Sequence, residues 1–170
     1  MADTSYIREL IMMEKGKPTL LTPYLVSKDE NRTLARAYLS GHQTINDNEY
    51  TRVSLDTENY DIGNNFASYQ FVAPVTGYYQ VNFAALLYDA GASLNMAHSG
   101  IFLNGTEVIR GAMYAGADTT YFGSPGAGKV YMTAGQYIDL RAYGNTTDAS
   151  TLIVHAGSAL TFMDVHLIST

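Results

Sequence analysis

From Tyr78 to Leu87 the chain alternates strictly. Tyr79, Val81, Phe83, Ala85 and Leu87 fall on one side of an extended strand, and Tyr78, Gln80 and Asn82 on the other. A period of two buries one face and leaves the other to water or a partner. Just upstream, Pro74 cannot donate to a sheet ladder, and Gly77 tolerates backbone angles that other residues avoid. Together they predict a tight corner feeding a central β strand, so that Phe71 to Tyr88 is the stretch around which the chain is organised.

The same texture continues on both sides. From about Thr51, Val53 and Leu55 alternate with polar residues, and Asn59-Tyr60-Asp61 and Gly63-Asn64-Asn65 carry turn chemistry. Phe66 to Val72 reads as a short strand. Ile101 and Leu103 lead into Asn104-Gly105, a strong hairpin signal. Gly116 to Gly128 reads as a glycine-rich connection. Val130 and Met132 then pass through Ala134-Gly135-Gln136 into Ile138 and Leu140, a second hairpin. Leu152 to His155 and Ala159 to Ile168 close the chain as strands. The last has Leu160 and Phe162 on one face and Val165 and Leu167 on the other, which predicts a bulge near Met163. Short strands spaced by ~8–12 residues predict an all-β fold, a sandwich or jelly roll, over residues 46–170.

Residues 1–45 differ. Ile7, Leu10, Ile11 and Glu14 have helical spacing after Ser5, a candidate cap, and Gly16 and Pro18 end that pattern. Leu20, Leu21, Tyr24, Leu25 and Val26 form an extended apolar patch broken by Pro23, and a second helix is predicted through Leu34, Ala37 and Tyr38 up to Gly41. Neither helix is long enough to stand alone. Two readings of this arm follow: it folds back on its own domain, or it docks on a neighbouring subunit or larger assembly. For docking, Ile7, Leu10, Ile11, Leu20, Leu21, Tyr24 and Leu25 are the candidate contacts.

Composition narrows the function classes. The 170 residues carry 10 Lys+Arg against 16 Asp+Glu, a net charge of −6 without a basic cluster, which argues against a nucleic-acid partner. Apolar runs fall short of the ~20 residues of a membrane span. There is no cysteine, which removes disulfides and thiolate metal sites. The amino terminus lacks a charged-then-apolar signal pattern, and the expected place of folding is a cytoplasm.

No catalytic set emerges. Gly123-Ser-Pro-Gly-Ala-Gly128-Lys129 approaches a phosphate-binding loop, but Val130 stands where Ser or Thr would bind magnesium, and a strand follows instead of a helix. His42, His98, His155 and His166 form no His-x-x-x-His pair. Asp164 and His166 share a strand face without a nucleophile signature, and Asp139 and Arg141 read as a surface ion pair. Asn-x-Thr sequons at Asn31, Asn104 and Asn145 matter only on a eukaryotic secretory route. Asp89, Asp118 and Asp148 lie in loops without an ordered calcium motif. No metal ligand, cofactor or catalytic residue is therefore expected, and the protein reads as not an enzyme.

The order of these signals resembles a family. Asn59-Tyr60-Asp61, Phe71-x-Ala73-Pro74-x-x-Gly77-x-Tyr79, Asn104-Gly105, Val130 to Ile138 and Gly157 to Phe162 together are similar to the globular head of complement component one-q and its tumour-necrosis-factor-like relatives. The resemblance covers about Thr51 to Thr170. It implies a jelly roll of about ten strands that assembles as a homotrimer, with Tyr78, Tyr79 and Phe162 in the core or the threefold contact. Similar heads occur in bacteriophage decorations and fibre tips, and no Gly-X-Y tract precedes this one. The resulting expectation is a virion structural protein made in a host cytoplasm. Residues 1–45 would be a docking arm for a major capsid protein or tail component, without nucleic acid or membrane. The alternative is a soluble trimeric recognition module binding a cell-surface glycan or protein.

Overall fold

The computed structural model describes residues 11–14, 17–20, 33–91, 93–148 and 151–170. The chain forms two units, Met1–Asn31 and Arg32–Thr170. In the first, β1 (Ile11–Glu14) pairs antiparallel with β2 (Lys17–Leu20), Ile11 standing opposite Leu20. The helix expected through Ile11 and Glu14 is thus a strand over those residues. A piece that short gains too little from its own hydrogen bonds to hold a helix, whereas a ladder supplies a partner. Ile7, Leu10, Leu21, Tyr24 and Leu25 lie outside the described residues.

The second unit is a β sandwich. One sheet contains β3 (Leu34–Tyr38), β4 (Gln43–Ile45), β6 (Thr57–Ile62), β9 (Gly77–Asp89), β12 (Tyr121–Met132), β14 (Leu152–Val154) and β15 (Phe162–Ser169). Its axis is β9. Along one edge β12 pairs with it from Tyr88 to Gly77, and along the other β14 and then β15 follow one another. Beyond them lie β4 and β3, and β6 closes the sheet. The opposing sheet runs β11 (Thr106–Thr119), β10 (Leu94–Leu103), β13 (Tyr137–Thr146), β8 (Gln70–Val72) and β7 (Phe66–Ala67), with β5 (Thr51–Arg52) also on β13.

The core between the sheets holds the inward set of β9 (Tyr79, Val81, Phe83, Ala85, Leu87) against Leu94, Ile101, Ile138 and Leu140. Each fully buried aliphatic or aromatic side chain here contributes about 1.5–3 kcal/mol. The Pro74–Gly77 corner is fixed by its contacts. Tyr79 donates its hydroxyl to the Val75 carbonyl at 2.6 Å and packs its ring against the edge of Phe71, 5.6 Å between centroids. At Gly77 a Cβ would meet the Ser169 carbonyl oxygen at 2.3 Å, so this glycine answers a close approach and not a special backbone angle. The Asn104-Gly105 hairpin forms as expected, with φ of 47° and 89° joining β10 to β11.

Several expectations are corrected. Leu34–Tyr38 is β3, not a helix: Ala35 and Ala37 point inward with a period of two, between β15 and β6. The head therefore begins near Arg32, and residues 34–45, read as arm, supply two of its strands. Asn59-Tyr60-Asp61 lies within β6. Residues 66–72 form two strands around a turn in which Ser68 and Tyr69 both have positive φ (52° and 65°). β12 and β13 belong to different sheets, so Ala134-Gly135 is a crossing between layers; Gly135 N–H is held by the Ala73 carbonyl at 2.8 Å. No bulge occurs at Met163. Leu160 precedes β15, Met163 and Val165 are buried, and the register shifts later, between Leu167 and Ser169.

The largest correction concerns Gly116 to Gly128. Those residues are mostly strand, completing β11 and most of β12, and β12 pairs with β9 along its whole length. Its glycines are sites of close packing. Gly126 stands opposite Phe83, and a Cβ there would lie 2.2 Å from the ring; at Gly128 it would lie 2.8 Å from Ile109. Between these strands and the opposite sheet, buried Ser99 and Ser124 make a polar rivet. Ser99 N–H donates to Ser124 Oγ (2.7 Å), Ser99 Oγ to the Ser124 carbonyl (2.9 Å), and Ser124 Oγ to the Ala112 carbonyl (2.7 Å).

The outer side of the six-stranded sheet carries its own cluster. His98 stacks on Tyr143, and Tyr50 covers His98, Phe102 and Tyr143. His98 is 4% exposed, and its Nδ1 is buried without a hydrogen-bond partner. Arg110 forks onto Glu107 at 2.5 and 2.7 Å, and Tyr50 donates its hydroxyl to Glu107 at 3.2 Å. Asp139 is fully buried between Arg52 (2.9 Å) and Arg141 (2.7 Å), so the expected surface pair is a buried carboxylate between two arginines.

Two outcomes follow. Gly126→Ala overpacks Phe83 and lowers stability by about 1–3 kcal/mol, while Gly123→Ala, with open space at its Cβ, changes it by less than about 0.5 kcal/mol. Urea midpoints compare them, and equal shifts would refute the packing role. Burial, and then the Arg110 charge, push His98 below its ordinary value of 6.5. The unfolded chain therefore takes the proton first: stability is full above that value and falls as pH drops toward the folded-state pKa. Melting curves between pH 7.5 and 5 should show this slope, and His98→Phe should flatten it.

Candidate assembly face

On the outside of the seven-stranded sheet, β9 and β12 present one continuous surface. Their outward positions are Tyr78, Gln80, Asn82, Ala84, Leu86 and Tyr88 beside Tyr131, Lys129, Ala127, Pro125, Gly123 and Tyr121, in that register. Twelve positions carry a single charge, Lys129. A solvated surface is ordinarily about 25–35% charged. The small residues Ala84, Gly123, Pro125 and Ala127 fill the middle, and rings stand at both ends.

At one end Tyr78 and Tyr131 are paired at 5.1 Å, 51% and 53% exposed. At the other a row crosses four strands: Tyr121 on β12, Tyr88 on β9, His155 just after β14 and His42 just before β4. Since Tyr78 and Tyr88 lie ten residues apart on one strand, the two ends are separated by roughly 33 Å. On β12, Pro125 lacks an N–H, a feature found on edge strands because it blunts further pairing.

The adjoining half of the sheet is polar, and Arg36, Tyr60 and Asp164 are paired within the head. Arg36 lies over the Phe162 ring at 3.9 Å and donates to the Ser158 carbonyl at 2.9 Å. Tyr60 donates its hydroxyl to Asp164 at 2.9 Å, and burial, then that bond, raise its pKa. Arg36 and Asp164 thus have partners within the head; the β9–β12 half offers rings and small side chains instead.

The structure separates the three aromatic candidates. Tyr79 is core. Tyr78 points out on the face and is half exposed, and Phe162 is half-buried on the outward side, in register with Ala84. Tyr88, Tyr121 and Tyr131 were not singled out from sequence, although Tyr121-x-Gly-x-Pro-x-Ala-x-Lys-x-Tyr131 does alternate. Of the arm candidates, Ile11 and Leu20 face one another in the β1–β2 ladder. Lys129 stands on β12 with no helix after it, so no phosphate cradle forms. Among the described residues no group of three or more His, Asp or Glu is placed to hold a metal.

No protein-family model matches the chain, and no curated protein matches it. Solved structures do. Murine APRIL, in a crystal structure at pH 5.0, superposes with a TM-score of 0.60 at 14% identity, over 81% of this chain and 99% of that one. The globular domain of zebrafish complement 1qA gives 0.53 at 11% identity over 80% and 97%, and Eiger TNF from S. frugiperda 0.57 at 10% over 81% and 93%. At these identities the likeness is one of fold. The head has the jelly-roll fold seen in these structures.

Proposed function

We propose that this protein is a non-enzymatic structural component of a virus particle, a bacteriophage capsid decoration or fibre protein whose heads assemble as a homotrimer. The observation that carries this reading is the β9–β12 face, with one charge in twelve outward positions and exposed tyrosines at both ends. Depletion of charge and enrichment in tyrosine are the composition of a subunit contact. A second copy of the head is the occupant, in the threefold arrangement that the family resemblance implies. Residues 1–31, a separate unit, attach the trimer to a major capsid protein or tail component. Three arms acting together turn a modest single-arm affinity into strong avidity. A chain without cysteine suits folding in a host cytoplasm before it is carried out on the particle.

A second reading, a soluble recognition module for a glycan or protein, is favoured by one feature. Ser68 and Tyr69 hold strained positive φ at a loop tip, and Tyr69 is 42% exposed there. It predicts saturable ligand binding by the free protein, lost in Tyr69→Ala.

Light scattering tests the assembly. The full chain should have a mass about three times its 18.6 kDa. Ala127→Glu, which sets a carboxylate in the middle of the face, costs several kcal/mol and weakens association roughly a hundredfold or more. Val108→Glu on β11, in the opposite sheet, leaves the mass unchanged. A single-chain mass for the parent protein at micromolar concentration sinks the reading. Deleting residues 1–31 should leave folded trimers that no longer bind particles. Normal particle occupancy by that truncation would move the attachment site into the head.

A further inference from the structure

The row Tyr121–Tyr88–His155–His42 crosses one end of the assembly face, and its chemistry is unlike the rest. Ring centroids are 4.7 Å apart for Tyr88–Tyr121, 5.2 Å for Tyr88–His155 and 4.3 Å for His42–His155. The backbone N–H of Ala156 donates to His42 Nδ1 at 2.9 Å. That nitrogen is therefore an acceptor, and the neutral ring carries its proton on Nε2. Becoming charged requires a proton on Nδ1, which breaks the bond to Ala156 and sets a cation against His155.

The titratable groups facing the two imidazoles are the Tyr88 phenol from β9, the Tyr121 phenol from β12 and each other. Among the described residues no carboxylate hydrogen-bonds or ion-pairs with either ring. Burial, and then the neighbouring His42, already hold His155 below its ordinary value. The Asp56 carboxylate, held against the loop before His42, is engaged by the Ser40 backbone N–H and hydroxyl at 2.8 and 2.7 Å.

We propose that the His42–His155 pair is an acid-release switch for the head assembly: neutral imidazoles sit within the contact between heads, and their protonation separates the heads. The proposal rests on the β9–β12 face being that contact. Covering the row with a second copy removes the water that would solvate a charged ring, so assembled heads bind protons less readily than free ones. Association is then full above the ordinary histidine range, about 6.5, and falls as pH drops below it. The chain's overall charge works the other way. Its net −6 shrinks toward the pI of about 5.0, which relaxes repulsion between heads, so release on acidification is a specific signature.

The experiment is light scattering on the full chain at pH 7.5, 6.5 and 5.5, with circular dichroism confirming that the heads stay folded. The expected result is a threefold mass at pH 7.5 and a single-chain mass at pH 5.5, a fall of roughly a hundredfold or more in association. The double variant His42→Gln/His155→Phe keeps an acceptor for the Ala156 N–H and a ring against Tyr88 and Tyr121, and should remain assembled at pH 5.5. His155→Phe alone should move the midpoint the same way by less, and replaces the double variant if that one does not assemble. His98→Phe should dissociate like the parent. A single-chain mass already at pH 7.5 overturns the assembly reading and the switch together. A threefold mass that persists at pH 5.5 overturns the switch alone, as does release that survives in the His42/His155 variants or disappears in His98→Phe.

Discussion

The close approach of β12 to the opposite sheet is the constraint on which the head depends. Two packed sheets ordinarily stand ~10 Å apart because side chains fill the gap. At this edge they come nearer: a Cβ on Gly111 would lie 2.9 Å from Ser124 Oγ and 3.0 Å from the Pro125 carbonyl. Ordinary side chains have no room, so β12 turns inward with Ser124, Gly126 and Gly128. The Phe83 ring lies over Gly126 and takes the space a side chain would fill. The polar price of bringing backbones together is met by Ser99 and Ser124, whose hydroxyls are both satisfied although fully buried.

That constraint also shapes the outside. A strand held along its whole length on β9 presents alternate residues outward in fixed register. Tyr121 and Tyr131 are therefore placed beside Tyr88 and Tyr78 by the same pairing that buries Gly126 beneath Phe83. Core and face are two sides of one register. A slip of one residue would put Pro125 or Ala127 where only glycine fits at Gly126, which specifies the strand more tightly than its weak hydrophobic content suggests.

It also explains what the sequence could and could not convey. The jelly roll, the alternation of β9 and the Asn104-Gly105 hairpin were legible, because in each the burial is done by large side chains or by a turn of known chemistry, whereas Tyr79 stayed open between core and threefold contact until its burial was seen. β12 was not legible as a strand. Its burial is of backbone, and Gly126 and Gly128 leave no hydrophobic period to detect. β3 was hidden differently: Leu34, Ala37 and Tyr38 satisfy a helical spacing, while Ala35 and Ala37 satisfy a strand, and only the neighbouring β15 and β6 decide between them. The buried state of Asp139 was equally out of reach, since Arg52 comes from a strand 87 residues away. Of the candidate face only Tyr78 had been named, through the family resemblance and as core or contact, and its cross-strand partners emerged only after β12 was placed.

The seven-stranded sheet divides into two halves of unlike chemistry, and the division says how the face can act. In the β15–β3–β6 half, Arg36, Asp164 and Tyr60 are paired within the head, so exposure to water costs them little. In the β9–β12 half, rings and small residues gain only if something covers them. At its end lie the two imidazoles, His42 and His155, 4.3 Å apart between ring centroids. A surface built this way gains from apolar cover over most of its length, and the proposed proton sensitivity lies at one edge. In the proposed assembly, the affinity between heads and the response to acid therefore come from different residues, which allows one to change by substitution while the other is kept.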